Sequence, residues 1–157
     1  MENITPAFRT NRLLQGLVIW LILLWTITSI EPFNRRDWLL ENLLVFFYGT
    51  LLVLTYRRFA FSSLSYLLFT VFMSLHLVGA HYTYAEVPWG NQLQEAFDLS
   101  RNYYDRFAHV IQGFVPAIIA REILIRLKVM KQGGWMFLFV TSFCLAFSAL
   151  YEMIEWW

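Results

Sequence analysis

The sequence predicts an all-α membrane protein, a bundle of about five transmembrane helices that forms one domain over residues 1–157. Apolar side chains make up 59% of the 157 residues and charged side chains only 15%, which lies outside the balance of soluble globular domains. The charged residues also cluster between long apolar runs. Each run approaches the roughly 20 residues that a helix needs to cross a bilayer.

Five such runs predict helices at 13–30, 38–56, 61–80, 103–126 and 135–157. Short polar turns separate most of them. The connection over 82–101 is longer, and its Leu93 and Phe97 at i, i+4 spacing predict a short amphipathic segment on the membrane surface, or a lid. The single cysteine, Cys144, lies inside the fifth run, so the chain has no internal disulfide.

Basic residues predict which side of the membrane each turn faces. With five crossings, eight of the 12 Lys and Arg residues lie on the side of the N-terminus. The other four, Arg35, Arg36, Arg101 and Arg106, lie opposite. Cytoplasmic turns carry the excess of basic residues, so we expect a cytoplasmic N-terminus.

Polar side chains gather at one end of the last three predicted helices, on the side opposite the N-terminus. On the fourth and fifth helices they follow i, i+4, i+7 spacing, which places three side chains on one face. Ionisable groups inside membrane helices cost about 2.5 to 3.5 kcal/mol on insertion scales and commonly mark functional sites. The two stripes consist of Asp105, His109 and Gln112, and of Ser148, Glu152 and Glu155.

Two histidines, His76 and His81, end the third predicted helix. Five residues turn an α-helix by about 140°, so these two side chains cannot face one point on an unbroken helix. They belong to one site only if the helix loosens near Gly79.

Imidazole and carboxylate groups without thiolates are typical ligands of a catalytic zinc ion, and also of manganese or non-haem iron. Water bound to such a metal becomes a nucleophile near neutral pH, and a carboxylate serves as general base. The sequence therefore predicts a bound divalent metal, with zinc preferred over manganese and iron. It also predicts hydrolysis of an amide or ester bond in a membrane lipid. The predicted ligands are His76, His81, His109, Asp105 and Glu152, and the predicted catalytic residues are Glu152, Glu155 and Asp105.

Other interpretations of the same residues stay open. In a purely structural one, Asp105 pairs with Arg101 one turn earlier, His81 lies at the interface, and the two glutamates face outer water. A small proton or cation transporter is another, although the fourth helix offers only apolar side chains between Gln112 and Arg121. A non-catalytic scaffold is a third, since no complete catalytic motif is present. The net charge of +1 gives no basis for nucleic-acid binding.

Short motifs follow one another along the chain: His76-Leu-Val-Gly-Ala-His81-Tyr82-Thr83-Tyr84, Tyr104-Asp105-Arg106 with His109, Arg121-Glu122, and Ser148-Ala-Leu-Tyr151-Glu152 with Glu155-Trp156. In this order they resemble the bacterial YjdF-type family of inner-membrane proteins, over essentially the whole chain. The resemblance implies a multi-pass protein of the bacterial inner membrane, but no reaction. It also implies that this chain lacks a C-terminal segment. A looser similarity, to membrane hydrolases of the alkaline ceramidase type, agrees with the hydrolase interpretation.

The metal hypothesis predicts near-stoichiometric zinc, manganese or iron in detergent-purified protein, measured by elemental analysis. The substitutions His109→Ala and Glu152→Ala should each lower the metal content, because each removes one predicted ligand. Protein that is purified without chelator, contains no metal and fails to bind added zinc would contradict this prediction.

Overall fold

Regular structure in residues 8–156 is entirely helical. These are the residues that the structure, a computed structural model, describes, apart from the side chains at 151, 152 and 154–156. The predicted all-α class is confirmed, and α4 occupies the connection for which a short amphipathic segment was predicted. A 3-10 helix at Phe8–Thr10 precedes six α-helices: α1 (Arg12–Thr28), α2 (Arg35–Thr55), α3 (Ser63–His81), α4 (Pro88–Ala96), α5 (Tyr104–Arg126) and α6 (Gly134–Trp156).

Local chemistry explains where the first four helices begin. Asn11, Asn34 and Ser62 cap α1, α2 and α3, and the side-chain oxygen of each accepts a hydrogen bond from a backbone N–H of the first turn. Pro88 lies in the first turn of α4, where the missing amide proton of proline breaks no helical hydrogen bond.

Within residues 8–156, three helices are long and apolar enough to cross a membrane: α2, α3 and α5. The 17-residue α1 and the Gly134–Leu150 part of α6 are also apolar but shorter. Large apolar side chains stay exposed along these helices, as at Leu43, Phe47 and Phe137. Exposed apolar surface of this extent is rare on soluble proteins, so we assign it to lipid contact. The number of five crossings and the cytoplasmic N-terminus stay predictions.

The chain divides into two compact units, Met1–Ala108 and His109–Trp157, and the division falls inside α5. The single domain over 1–157 stays a prediction. In the second unit, the Arg126 guanidinium donates to the Glu122 carboxylate over 2.7 Å. This i, i+4 pair and the hydrogen bond from Arg121 to Gln132 (3.3 Å) lie at the end of α5 that the charge count assigns to the cytoplasm.

In the first unit, α3 packs against both α1 and α2. Its Met73, Leu77 and Ala80 are almost fully buried. Hydrogen bonds between polar side chains also link these helices. A polar group without a hydrogen-bond partner in lipid costs several kcal/mol, so pairing across helices is favourable. Trp20 Nε1 donates to Ser74 Oγ over 2.9 Å and links α1 to α3, whereas Trp25 Nε1 donates to Asn42 Oδ1 over 2.7 Å and links α1 to α2.

The charge count predicts that the connection between α3 and α5 faces outside and that the turn between α5 and α6 faces the cytoplasm. In a Cys144→Ser background, we expect Glu95→Cys to react with a membrane-impermeant maleimide in intact spheroplasts. Lys131→Cys should react only after the membrane is opened. Both positions are exposed, so labelling reports the side of the membrane. Labelling of Lys131→Cys alone in intact spheroplasts would contradict the predicted orientation.

Candidate functional site

His76 lies buried near the end of α3, with 5% of its surface exposed, and both of its ring nitrogens are hydrogen-bonded. Nε2 donates to the backbone carbonyl of Glu41 on α2 over 3.1 Å, and it also lies 3.8 Å from the Glu41 carboxylate. Nδ1 lies 2.8 Å from the hydroxyl of Tyr84. One imidazole therefore ties α2 to the segment that follows α3.

Tyr84 reaches His76 because the chain folds back over the end of α3. The backbone N–H of Tyr84 donates to the carbonyl of Gly79 over 2.8 Å. A Cβ at Gly79 would overlap the Tyr84 ring, so only glycine permits this close approach. Thr83 and Tyr84 both have positive φ, of 53° and 57°. Positive φ is unfavourable for a β-branched residue such as Thr, so the surrounding contacts hold the turn in this conformation.

His81 faces a different neighbour from His76. Its Nδ1 donates to the carbonyl of Thr28 at the end of α1 over 2.9 Å, and its own carbonyl accepts from the Phe33 N–H over 3.0 Å. The helix α3 continues through Gly79 to His81. The loosening that would bring both imidazoles to one point is therefore not present. Gly79 instead makes room for Tyr84.

The corner between α4 and α5 is fixed by Asn102. Its Nδ2 donates to the Val87 carbonyl (3.1 Å) and to Asn91 Oδ1 (2.8 Å), and its Oδ1 accepts from the Tyr104 N–H (2.9 Å). A Cβ at Gly90 would overlap the Asn102 amide. The Tyr104 hydroxyl donates to the carbonyl of Leu75 on α3 over 2.6 Å. These bonds hold α4 and the start of α5 over the end of α3.

An open polar cleft of about 480 Å³ lies between these segments. Tyr84 contributes to its wall, so the hydroxyl that is bonded to His76 belongs to a residue that also contacts the cleft. Two carboxylates and one guanidinium are also present, together with side-chain amides. The polar residues of the wall include Tyr84, Glu86, Asn91, Gln94, Arg101 and Asp105.

The helix α4 presents two faces with different chemistry. Asn91 and Gln94 contribute to the cleft wall. Trp89 and Leu93, with Phe97 directly after the helix, follow i, i+4, i+8 spacing and are 42%, 46% and 69% exposed. An exposed apolar stripe opposite a polar face is typical of a helix that lies in a membrane interface.

The structure brings together only part of the predicted site. Asp105 contributes to the cleft wall, His76 lies behind Tyr84, and His81 faces α1. His109 belongs to the second unit, and the side chains of Glu152 and Glu155 lie outside the described residues. Among the side chains that the structure does describe, no three His, Cys, Asp or Glu residues are arranged to hold a metal ion. The predicted ligand set and catalytic residues stay predictions.

Sequence reasoning gave no role at this site to three residues that shape it: Glu41, Tyr84 and Asn102. Glu41 is not among the predicted site residues, yet its backbone carbonyl and carboxylate both approach His76. A backbone acceptor leaves no trace in the sequence. For Tyr84 a signal existed, since an aromatic residue five positions after a glycine at a helix end is compatible with a ring packed on that glycine.

Comparison with known proteins agrees with a membrane protein. Residues 13–157 match the protein family described as "Predicted membrane protein (DUF2238)". The chain is 41% identical over 142 residues to "Inner membrane protein YjdF" of Escherichia coli strain K12, a match that covers 90% of this chain and 67% of that protein. No solved structure matches. The resemblance predicted from the motifs is confirmed.

Gly79→Ala should destabilise the protein by about 1 to 3 kcal/mol, because the added methyl group displaces the Tyr84 ring from its packed position. Thermal unfolding in detergent measures the change. Gly16→Ala is the matched control, since Gly16 lies in α1 with no side chain or distant backbone near its Cβ position. Combining Gly79→Ala with Tyr84→Ala should remove most of the cost. An equal cost with and without the Tyr84 ring would contradict the proposed contact.

Proposed function

This chain belongs to the DUF2238 family of predicted membrane proteins, and we propose that its cleft binds the polar headgroup of a membrane lipid. The protein is a multi-pass protein of the bacterial inner membrane, like the relative that it matches. Headgroup binding goes beyond the family and rests on the geometry of the first unit.

The observation that supports this proposal is that α4 lines the cleft with one face and leaves an apolar stripe exposed on another. One face of this helix supplies Asn91 and Gln94 to the cleft wall, and the stripe that begins with Trp89 and Leu93 is exposed and apolar. A helix of this kind buries its apolar face about 5 to 10 Å into the boundary between headgroups and acyl chains. The cleft then lies at the depth of the headgroups, and a bound lipid keeps its tails in the bilayer.

The size and charge of the cleft also suit a headgroup. Its volume of about 480 Å³ falls within the roughly 300 to 1,000 Å³ of small-molecule sites. Arg101 can pair with a phosphate, for which a guanidinium provides several donors in one plane. Glu86 and Asp105 can pair with a cationic group of the same headgroup.

We also propose that the site hydrolyses an ester or amide bond in the bound lipid. The cofactor would be a divalent metal, with zinc as the first candidate. Asp105 in the cleft wall and His76 behind Tyr84 support it, because both residue types serve in metal-assisted hydrolysis. A metal at His76 would replace hydrogen bonds that its two nitrogens make here. The metal analysis described above tests this reaction separately from lipid binding.

Filling the cleft should weaken lipid binding. In nanodiscs or detergent, we expect Gln94→Phe to lower the affinity for a fluorescently labelled phospholipid by about tenfold or more, a change of about 1.4 kcal/mol. Gln92→Phe is the matched control, because Gln92 lies on the same helix, is exposed and is not part of the cleft wall. Its affinity should stay near that of the parent.

Two results would overturn the proposal. Equal affinity in Gln94→Phe, Gln92→Phe and the parent would place the bound lipid elsewhere on the protein. No saturable binding of labelled phospholipid to the parent would remove the headgroup site altogether.

A further inference from the structure

We propose that the basic turn between α5 and α6, residues 121–135, binds the anionic headgroups of phospholipids in the leaflet that it faces. The basic turn lies entirely in the second unit, whereas the residues of the cleft wall belong to the first. This second lipid site therefore does not depend on the proposed function of the cleft.

Positive charge dominates the basic turn. Its four basic residues are accompanied by one carboxylate, that of Glu122, and the sequence has no other acidic residue between Asp105 and Glu152. Glu122 pairs with Arg126 over 2.7 Å, so this carboxylate neutralises one of the four cations. The exposed cations that remain are Arg121, Lys128 and Lys131. The two lysines are the only lysines of the chain.

The backbone at the end of α5 holds Lys128 at a position that usually belongs to glycine. The Val129 N–H donates to the Leu124 carbonyl over 3.0 Å, and the Lys128 N–H donates to the Ile125 carbonyl over 3.1 Å. With the φ of Lys128 at 54°, these two bonds form the Schellman motif that ends many helices. Glycine adopts positive φ without steric cost, whereas lysine does not. The lysine instead adds a cation at the negative end of the helix dipole.

Exposed apolar side chains indicate that the basic turn lies at the membrane boundary. Leu127 and Val129 are exposed directly after α5, and Trp135 at the start of α6 is 80% exposed. Tryptophan is enriched where headgroups meet acyl chains, and long lysine side chains near helix ends extend to the headgroup layer. The basic turn thus combines positive charge at the depth of the lipid phosphates with apolar groups for the acyl chains.

An anionic phospholipid matches this combination better than other anions or lipids do. Each basic residue close to an anionic membrane surface strengthens the attraction by about fivefold. A choline headgroup carries a cation that cancels the charge of its phosphate, so it gains much less. A soluble anion has no acyl chains to contact Leu127, Val129 and Trp135.

Binding of fluorescently labelled phosphatidylglycerol to the purified protein in an uncharged detergent tests this site. All measurements use the Gln94→Phe background, which fills the cleft. We expect phosphatidylglycerol to bind at least about tenfold more tightly than labelled phosphatidylcholine with the same acyl chains. Inorganic phosphate should displace no more lipid than sodium chloride does at the same ionic strength, because phosphate lacks acyl chains.

Lys128→Gln combined with Lys131→Gln should lower the affinity for phosphatidylglycerol by about tenfold or more and leave the affinity for phosphatidylcholine unchanged. Lys128→Arg combined with Lys131→Arg keeps both charges and should keep the affinity. Arg57→Gln combined with Arg58→Gln is the matched control, because it removes the same charge from two exposed residues of the turn between α2 and α3. This control should change the affinity much less.

Four results would overturn the inference. Equal affinity of the protein for the two phospholipids would remove the role of headgroup charge. Equal losses in the lysine-to-glutamine and lysine-to-arginine pairs would assign the effect to packing rather than charge. An equal loss in the Arg57 and Arg58 control would assign it to the net charge of the protein. Displacement by inorganic phosphate beyond the effect of sodium chloride would make a soluble anion the ligand.

Discussion

The hydrogen bonds of His76 are the interaction on which the rest of the first unit depends. Helices in a membrane gain little from the hydrophobic effect when they associate, because lipid tails are as apolar as their own side chains. Packing and paired polar groups then decide how neighbouring segments are placed. His76 bonds to the Glu41 carbonyl on one side and to the Tyr84 hydroxyl on the other. Hydrogen bonds between membrane helices average only about 0.6 kcal/mol. The hydrogen bonds of His76 therefore fix the positions of α2 and of the turn at Tyr84 more than they raise the free energy of unfolding.

The cleft that we propose as a binding site follows from that position. With Tyr84 held over Gly79, the chain turns back across the end of α3, and Asn102 then joins the start of α4 to the start of α5. The result is a polar cleft beside an amphipathic helix whose apolar stripe is exposed. This combination suits a ligand that is polar at one end and apolar at the other, as a membrane lipid is.

The sequence predicted the helices well, because the length and composition of an apolar run are set by the thickness of the bilayer. The observed ends of α1, α2, α3, α5 and α6 lie within three residues of the predicted ones. Asp105, one of the predicted site residues, contributes to the cleft wall, and its role as a ligand stays a prediction. The sequence joined His76 and His81 only on the condition that α3 loosens. The structure keeps α3 regular and gives each imidazole a separate backbone acceptor. Backbone acceptors and the positive φ of Thr83 and Tyr84 have no signature in residue type, so this part of the site needed three-dimensional information.

The proposed headgroup site requires that the cleft lies at the headgroup level, with the apolar face of α4 toward the acyl chains and its polar face toward the cleft. Spin labels at Leu93→Cys and Gln94→Cys, each in a Cys144→Ser background, test it through their accessibility to oxygen and to a water-soluble nickel complex in nanodiscs. Oxygen concentrates in the acyl region, so the account predicts that oxygen broadens the signal at Leu93→Cys more strongly and that nickel does so at Gln94→Cys. Equally high nickel accessibility at both positions would place α4 in bulk water and contradict the account.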